Sequence, residues 1–142
     1  MIIKQLSIFL ENRTGSLTGV TQLLGDAGIN LSAFSLADSS DFGILRVILS
    51  DPEVAKALLT EKGYTVTLND VVCLFVPNTP GTLSKALILL SENGVSIDYM
   101  YAFAMKDDMA RVVIKPSSIE RCIEVLQRSN LQLANANDMY DF

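Results

Sequence analysis

Residues 12–31 read NRTGSLTGVTQLLGDAGINL, and residues 78–97 read NTPGTLSKALILLSENGVSI. A shift of 66 positions lays one on the other. Asn12/Asn78, Gly15/Gly81, Leu17/Leu83, Leu23/Leu89, Leu24/Leu90 and Gly28/Gly94 are then identical, and Ser16/Thr82, Asp26/Glu92, Ile29/Val95 and Leu31/Ile97 are conservative. The match resumes one residue shorter, with LRVILSD (45–51) on ARVVIKP (110–116), which sets Arg46 against Arg111. Both glycines and the leucines between them coincide, the mark of an internal repeat. The chain reads as two copies of one unit, 1–69 and 70–142, meeting near Asn69 and Asp70 with no Pro-, Gly- or Ser-rich linker.

Working outward, each copy has the same order of elements. Residues 3–11 alternate, with Leu6, Ile8 and Leu10 on one side; Val72, Leu74 and Val76 repeat the pattern. Turn residues follow, then amphipathic helices with apolar stripes at Leu17, Val20, Leu23, Leu24, Ala27 and at Leu83, Ala86, Leu87, Leu90. Pro80 suits a first helical position with Thr79 as N-cap. Gly28 and Gly94 suit left-handed helix stops. Strands at 29–37 and 95–105 lead through hairpin turns at SSDFG and KDD into strands 43–50 and 110–116. Pro52 and Ser117–Ser118 open second helices, with apolar faces at Val54, Ala57, Leu58 and at Ile119, Cys122, Ile123, Leu126. YTVTL (64–68) and LQLANA (131–136) are expected as final strands. This βαββαβ order is the ferredoxin-like arrangement, an α+β fold with an antiparallel sheet and both helices on one face. Phe9 and Phe75 point to the other face, with Tyr99, Tyr101 and Phe103 beside them.

Composition restricts the chemistry. In 142 residues there is no histidine, so a Ser–His–Asp triad, a Cys–His dyad and imidazole metal sites are all excluded. Two cysteines cannot make a four-thiolate zinc site, and both sit on apolar stretches as buried thiols. Net charge is −5, which argues against nucleic acid as a partner. No apolar run approaches the ~20 residues of a membrane span, and the N-terminus lacks the pattern of a signal peptide. The expected location is the cytoplasm. No cofactor or metal is called for, Asp107 and Asp108 read as a solvated hairpin, and Arg46 and Arg111 read as surface residues. The C-terminal Tyr140 and Phe142 are either a frayed tail or a docking segment.

The loop between the first strand and first helix occurs twice, as ENRTGSL (11–17) and PNTPGTL (77–83). A helix N-terminus offers backbone N–H groups and a partial positive charge, a natural seat for a carboxylate. Glycine there lets a ligand approach the backbone, and asparagine offers both donor and acceptor. A good turn is the plainer reading of the same residues.

LENRTGSLTGVTQLLGDAGINLSAF resembles the ACT domain, the small-molecule regulatory module of many enzymes of amino-acid metabolism. That family shows Asn/Asp-x-Pro-Gly-x-Leu before its first helix and Gly-Ile/Val-Asn-Ile after it. Here the copies read ENRTGSL with GINL, and PNTPGTL with GVSI. Thr14 stands where Pro is usual, and Ser96 where Asn is. The first copy is most similar to the serine-binding module of phosphoglycerate dehydrogenases. The resemblance implies two units whose sheets join edge to edge into eight strands, with a ligand held between units. Asn12, Arg13, Thr14, Gly15, Ser16 and Leu17 would face Ser96, Ile97 and Asp98. Asn78, Thr79, Pro80, Gly81, Thr82 and Leu83 would face Asn30 and Leu31. The expected function is a free-standing regulatory protein, not an enzyme. It would bind an amino acid or similar metabolite as a homodimer and signal through a regulated enzyme partner. The alternative is a ligand-independent interaction subunit on the same fold.

Overall fold

The computed structural model describes residues 1–38 and 41–139, and of Ala104 the backbone only. Ser39 and Ser40 of the first hairpin turn, and the Tyr140 and Phe142 docking segment, lie outside the described residues. The elements run β1 (Ile3–Glu11), α1 (Ser16–Asp26), β2 (Leu31–Asp38), β3 (Phe42–Leu49), α2 (Pro52–Glu61), β4 (Thr65–Pro77), α3 (Thr82–Glu92), β5 (Ile97–Lys106), β6 (Met109–Pro116) and α4 (Ile119–Arg128), closing on a 3-10 turn (Ala136–Met139). Two compact units result. One spans residues 4–69; the other spans the chain from Asp70 together with residues 1–3.

In the N-terminal unit the strand order is β2-β3-β1-β4, with antiparallel pairing of β1 to β3 and of β2 to β3. Alternation in β1 puts Leu6, Ile8 and Leu10 into one core with Leu45, Val47 and Leu49 of β3, Val20 and Leu24 of α1, and Ala55 and Leu59 of α2. On the opposite side of β1, Gln5 and Ser7 are buried, and the Ser7 hydroxyl donates to Asn69 Oδ1 at 2.6 Å. The C-terminal unit repeats the plan, with β4-β6-β5 and a core of Val72, Leu74, Val76, Ala86, Leu90, Val112, Ile114, Cys122, Val125 and Leu126. The ferredoxin-like fold is therefore present twice, with the helices on one face of each sheet.

Several details differ from expectation. Among the described residues six strands stand where eight were expected. The stretch 64–68 runs into the next strand as one β4, because nothing at Asn69 or Asp70 breaks the extended backbone. The stretch 131–136 makes only a bridge, Leu74 to Leu133, held by Phe75 N–H to Gln132 O and Ala134 N–H to Cys73 O. The chain then turns away as Asn135 N–H donates to Asp138 Oδ2 at 2.7 Å. Helix α2 buries Ala55 and Leu59, whereas Val54 is 59% exposed and Ala57 is also exposed. The expected Val54–Ala57–Leu58 stripe was thus one residue out of phase.

The register of β6 also corrects the repeat. Leu31 and Ile97 are 66 apart, but their strand partners Leu49 and Pro116 are 67 apart. The extra residue is the irregularity between Phe103 and Met105 in β5. Arg46 therefore corresponds to Val113, and Arg111 to Ile44; the shared Arg–Val dipeptide had drawn the alignment two residues off. Arg111 is no surface residue either. It is 7% exposed, on the face away from the helices, with its guanidinium 5.3 Å from the centre of the Phe75 ring. Val71, Cys73 and Val113 are buried on that face as well, and burial pushes the Cys73 thiol up to about 12, with Arg111 opposing the rise and Asp138 adding to it. Phe75, Tyr99, Tyr101 and Phe103 there are half-buried, and Phe9 is more open.

Candidate functional site

The two strand-to-helix loops have one backbone design. In the first, Arg13 N–H donates to Glu11 O at 2.9 Å, Ser16 N–H to Arg13 O at 3.3 Å, and Gly19 N–H to Gly15 O at 2.9 Å. In the second, Thr79 N–H donates to Pro77 O at 2.8 Å, Thr82 N–H to Thr79 O at 3.4 Å, and Lys85 N–H to Gly81 O at 3.0 Å. Each bond is displaced from its counterpart by the repeat shift. Gly15 and Gly81 are the N-caps, at φ 93 and φ 87, the left-handed region that disfavours other residues. This corrects the expectation for the second loop. Pro80 and Thr79 precede the cap, and the Thr82 hydroxyl turns back onto Pro77 O at 2.6 Å and Thr79 O at 2.9 Å.

The glycine caps matter for chemistry. Neither α1 nor α3 has a side-chain cap hydrogen bond or an acidic residue in its first turn. A serine or aspartate at that place would occupy the first-turn amides itself. Neither helix therefore places a carboxylate of its own first turn at the positive end of its dipole. α4 is the contrast, since Ser118 accepts from Arg121 N–H.

The loop of the N-terminal unit has two flanks. On one, a cleft of about 610 Å³ is walled by Arg13, Thr14, Gly15 and Ser16, by Phe9 and Glu11 of β1, by Phe42, and by Lys62 and Tyr64 of the turn into β4. Arg13 Nε lies 3.3 Å from Glu11 Oε2, both three-quarters exposed, so this ion pair is worth little. Phe9 and Phe42 meet with ring centres 5.9 Å apart and are 36% and 40% exposed. On the other flank, a mainly apolar groove of about 360 Å³ runs between α1 and β2, lined by Leu17, Thr21, Leu31, Phe34 and Leu36.

The residues expected to form the site are placed as follows. Arg13, Thr14, Gly15 and Ser16 line the larger cleft, while Leu17 and Leu31 line the smaller groove. Asn12 and Asn30 are exposed, Asn12 in the loop and Asn30 just before β2. Asn78, Thr79, Pro80 and Gly81 form the exposed second loop, with Thr82 and Leu83 half-buried at the start of α3. Ser96 and Ser117 exchange bonds, Ser117 N–H to Ser96 O at 2.8 Å and Ser96 N–H to Ser117 Oγ at 3.0 Å. Ile97 is half-buried at the start of β5, and Asp98 lies 3.6 Å from Lys115 Nζ. Phe9, Phe42, Lys62 and Tyr64 were not foreseen as site residues. They come from β1, from β3 and from the turn between α2 and β4, and no short-range pattern links Phe42, Lys62 or Tyr64 to the loop.

Among the described residues no helix is long and apolar enough to cross a membrane, and no three His, Cys, Asp or Glu side chains are grouped to hold a metal ion.

Comparison with known proteins agrees with this architecture. The family model for the ACT domain pair, a regulatory module, matches residues 1–142. Protein BT0572 from Bacteroides thetaiotaomicron, of known crystal structure, is 49% identical with a TM-score of 0.94, over 100% of this chain and 98% of that one. The regulatory subunit of aspartate kinase from Thermus thermophilus shares the fold at 16% identity and TM-score 0.64, over 89% of this chain and 91% of that one. Its counterpart from Thermus flavus does so at 17% and 0.60, over 89% and 92%. No curated protein matches. With the whole length matched and the repeated fold in place, the chain belongs to the ACT domain pair family.

Proposed function

We propose that this protein is a regulatory protein that binds an amino acid or a close relative at its strand-to-helix loops and passes the signal to a partner enzyme. The observation that carries this is the paired glycine-capped helix N-terminus, free of side-chain caps in both units. Such an end suits a carboxylate, which its backbone N–H groups and partial positive charge attract. Family membership adds support, because ACT pairs are regulatory modules. The likeness of the first copy to a serine-binding module makes L-serine the first ligand to try. Following the resemblance, the start of β2 or β5 from a neighbouring unit completes each seat, Asn30 and Leu31 for one and Ser96, Ile97 and Asp98 for the other.

The protein acts as a homodimer in this reading. Phe34 and Leu36, 64% and 52% exposed, lie on β2, the outer strand of its unit, and residues 31–37 carry no charge. Uncharged apolar edges are the kind that proteins cover. Calorimetric titration with the twenty amino acids tests the function. Saturable binding of one or a few supports it, and a folded protein that binds none at millimolar concentration favours the interaction-subunit alternative.

A further inference from the structure

The two units use the same backbone, so each serves as a control for the other. A residue that the fold requires in one has an equivalent in the other. At the larger cleft of the N-terminal unit this fails. The repeat shift equates Glu11 with Pro77 and Arg13 with Thr79. At the helix ends, Lys62 N–H donates to Leu58 O as Ser129 N–H does to Val125 O, and Tyr64 N–H to Leu59 O as Leu131 N–H does to Leu126 O. Lys62 thus corresponds to Ser129 and Tyr64 to Leu131. The strand register equates Phe42, opposite Glu11, with Met109, opposite Pro77. Every charged member of the cleft is neutral in the sister unit, although the fold there is intact. Gly19 follows suit. A Cβ on it would stand 3.0 Å from the Tyr64 hydroxyl, and its counterpart, where no tyrosine stands, is Lys85.

These side chains form a coherent set. Lys62 and Arg13 bring positive charge, Glu11 a carboxylate, and Phe9, Phe42 and Tyr64 apolar surface around about 610 Å³, within the range of small-molecule sites. We infer that this cleft is a second amino-acid pocket, contained within the N-terminal unit, for a zwitterion with a large apolar or aromatic side chain. The ligand carboxylate meets Lys62 and Arg13, its ammonium meets Glu11 in place of the exposed Arg13 contact, and its side chain covers Phe9 and Phe42. The inference rests on the reading of the protein as an amino-acid binder, but it uses the opposite flank of the loop from the Leu17–Leu31 groove.

The test is calorimetry of the full chain with L-phenylalanine, L-leucine and L-serine, repeated for Phe42→Ala and Lys62→Ala, both surface changes. L-phenylalanine or L-leucine should bind, with Kd raised at least tenfold by each substitution. L-phenylalanine amide, which lacks the carboxylate, should bind the parent at least tenfold more weakly than L-phenylalanine. If neither large amino acid binds at millimolar concentration, or if binding ignores both substitutions, the pocket is refuted. Serine binding that survives alongside such a failure leaves the proposed function standing. Failure of every amino acid removes both.

Discussion

Replacing Gly15 by alanine isolates the backbone requirement of the loop. Gly15 sits at φ 93 and ψ −10, and a Cβ there meets nothing within 4 Å, so no clash contributes. The cost is the left-handed conformation alone, about 1–2 kcal/mol. With an unfolding entropy of about 2.1 cal/mol/K per residue, about 1 kcal/mol lowers Tm by about 3 °C if the whole chain melts together. The shift is about 7 °C if one unit of half that size melts alone. Urea denaturation followed by circular dichroism gives the free energy, and a thermal melt gives the cooperativity. Gly81→Ala, at φ 87 and equally open, should cost the same, and the double variant should show the sum because the sites lie in separate units. Gly15→Asn should be milder, since asparagine visits the left-handed region more readily. Unchanged stability in Gly15→Ala, or equal damage from asparagine, would show that the left-handed backbone is not what requires glycine there.

Three further outcomes are expected. Asn12→Ala should weaken amino-acid binding by about 1–3 kcal/mol, or about 5- to 150-fold, and an unchanged calorimetric Kd removes Asn12 from the site. Ala55→Glu should destabilise by more than ~3 kcal/mol because it buries a charge in the core, whereas Val54→Glu should stay within ~0.5 kcal/mol; equal effects in urea would contradict the phase of α2. Burial holds the thiols of Cys73 and Cys122 up at about 12 and about 11, so a colourless-to-yellow disulfide reagent at pH 8 should label neither until the protein is unfolded. Because the folded state keeps protons that the unfolded thiols release, their contribution to stability is full below about pH 9 and is lost as pH rises through 11 and 12. Rapid labelling of the native protein would show the burial to be wrong.

What could be read in the sequence was whatever local chemistry dictates. The repeat, the alternation of β1 and the helix stops at Gly28 and Gly94, both at positive φ, follow from periodicity and glycine. The turn at Asp107 and Asp108 does too, with both residues in the left-handed region of a two-residue hairpin. What failed depended on distant partners. The phase of α2 is set by the sheet it packs on, and its own apolar residues allow two stripes. The one-residue irregularity in β5 makes the repeat shift 67 in β6, whereas the Arg46/Arg111 match implies 65, and no alignment of short strands detects it. The final strand shrank to one bridge because Asp138 closes a turn directly after it. Of the residues that line the larger cleft, Arg13, Thr14, Gly15 and Ser16 are contiguous in the loop that the sequence singles out, whereas Phe42 and Lys62 reach the cleft only through the folding of β3 and α2.

The most direct test of the account is titration of the full chain with the twenty amino acids, by thermal shift and then calorimetry. A regulatory amino-acid binder shows a dose-dependent rise in Tm and saturable binding for one or a few of them, lost or weakened when the first loop is altered. A folded protein that shows no shift and no heat with any amino acid at millimolar concentration would contradict it.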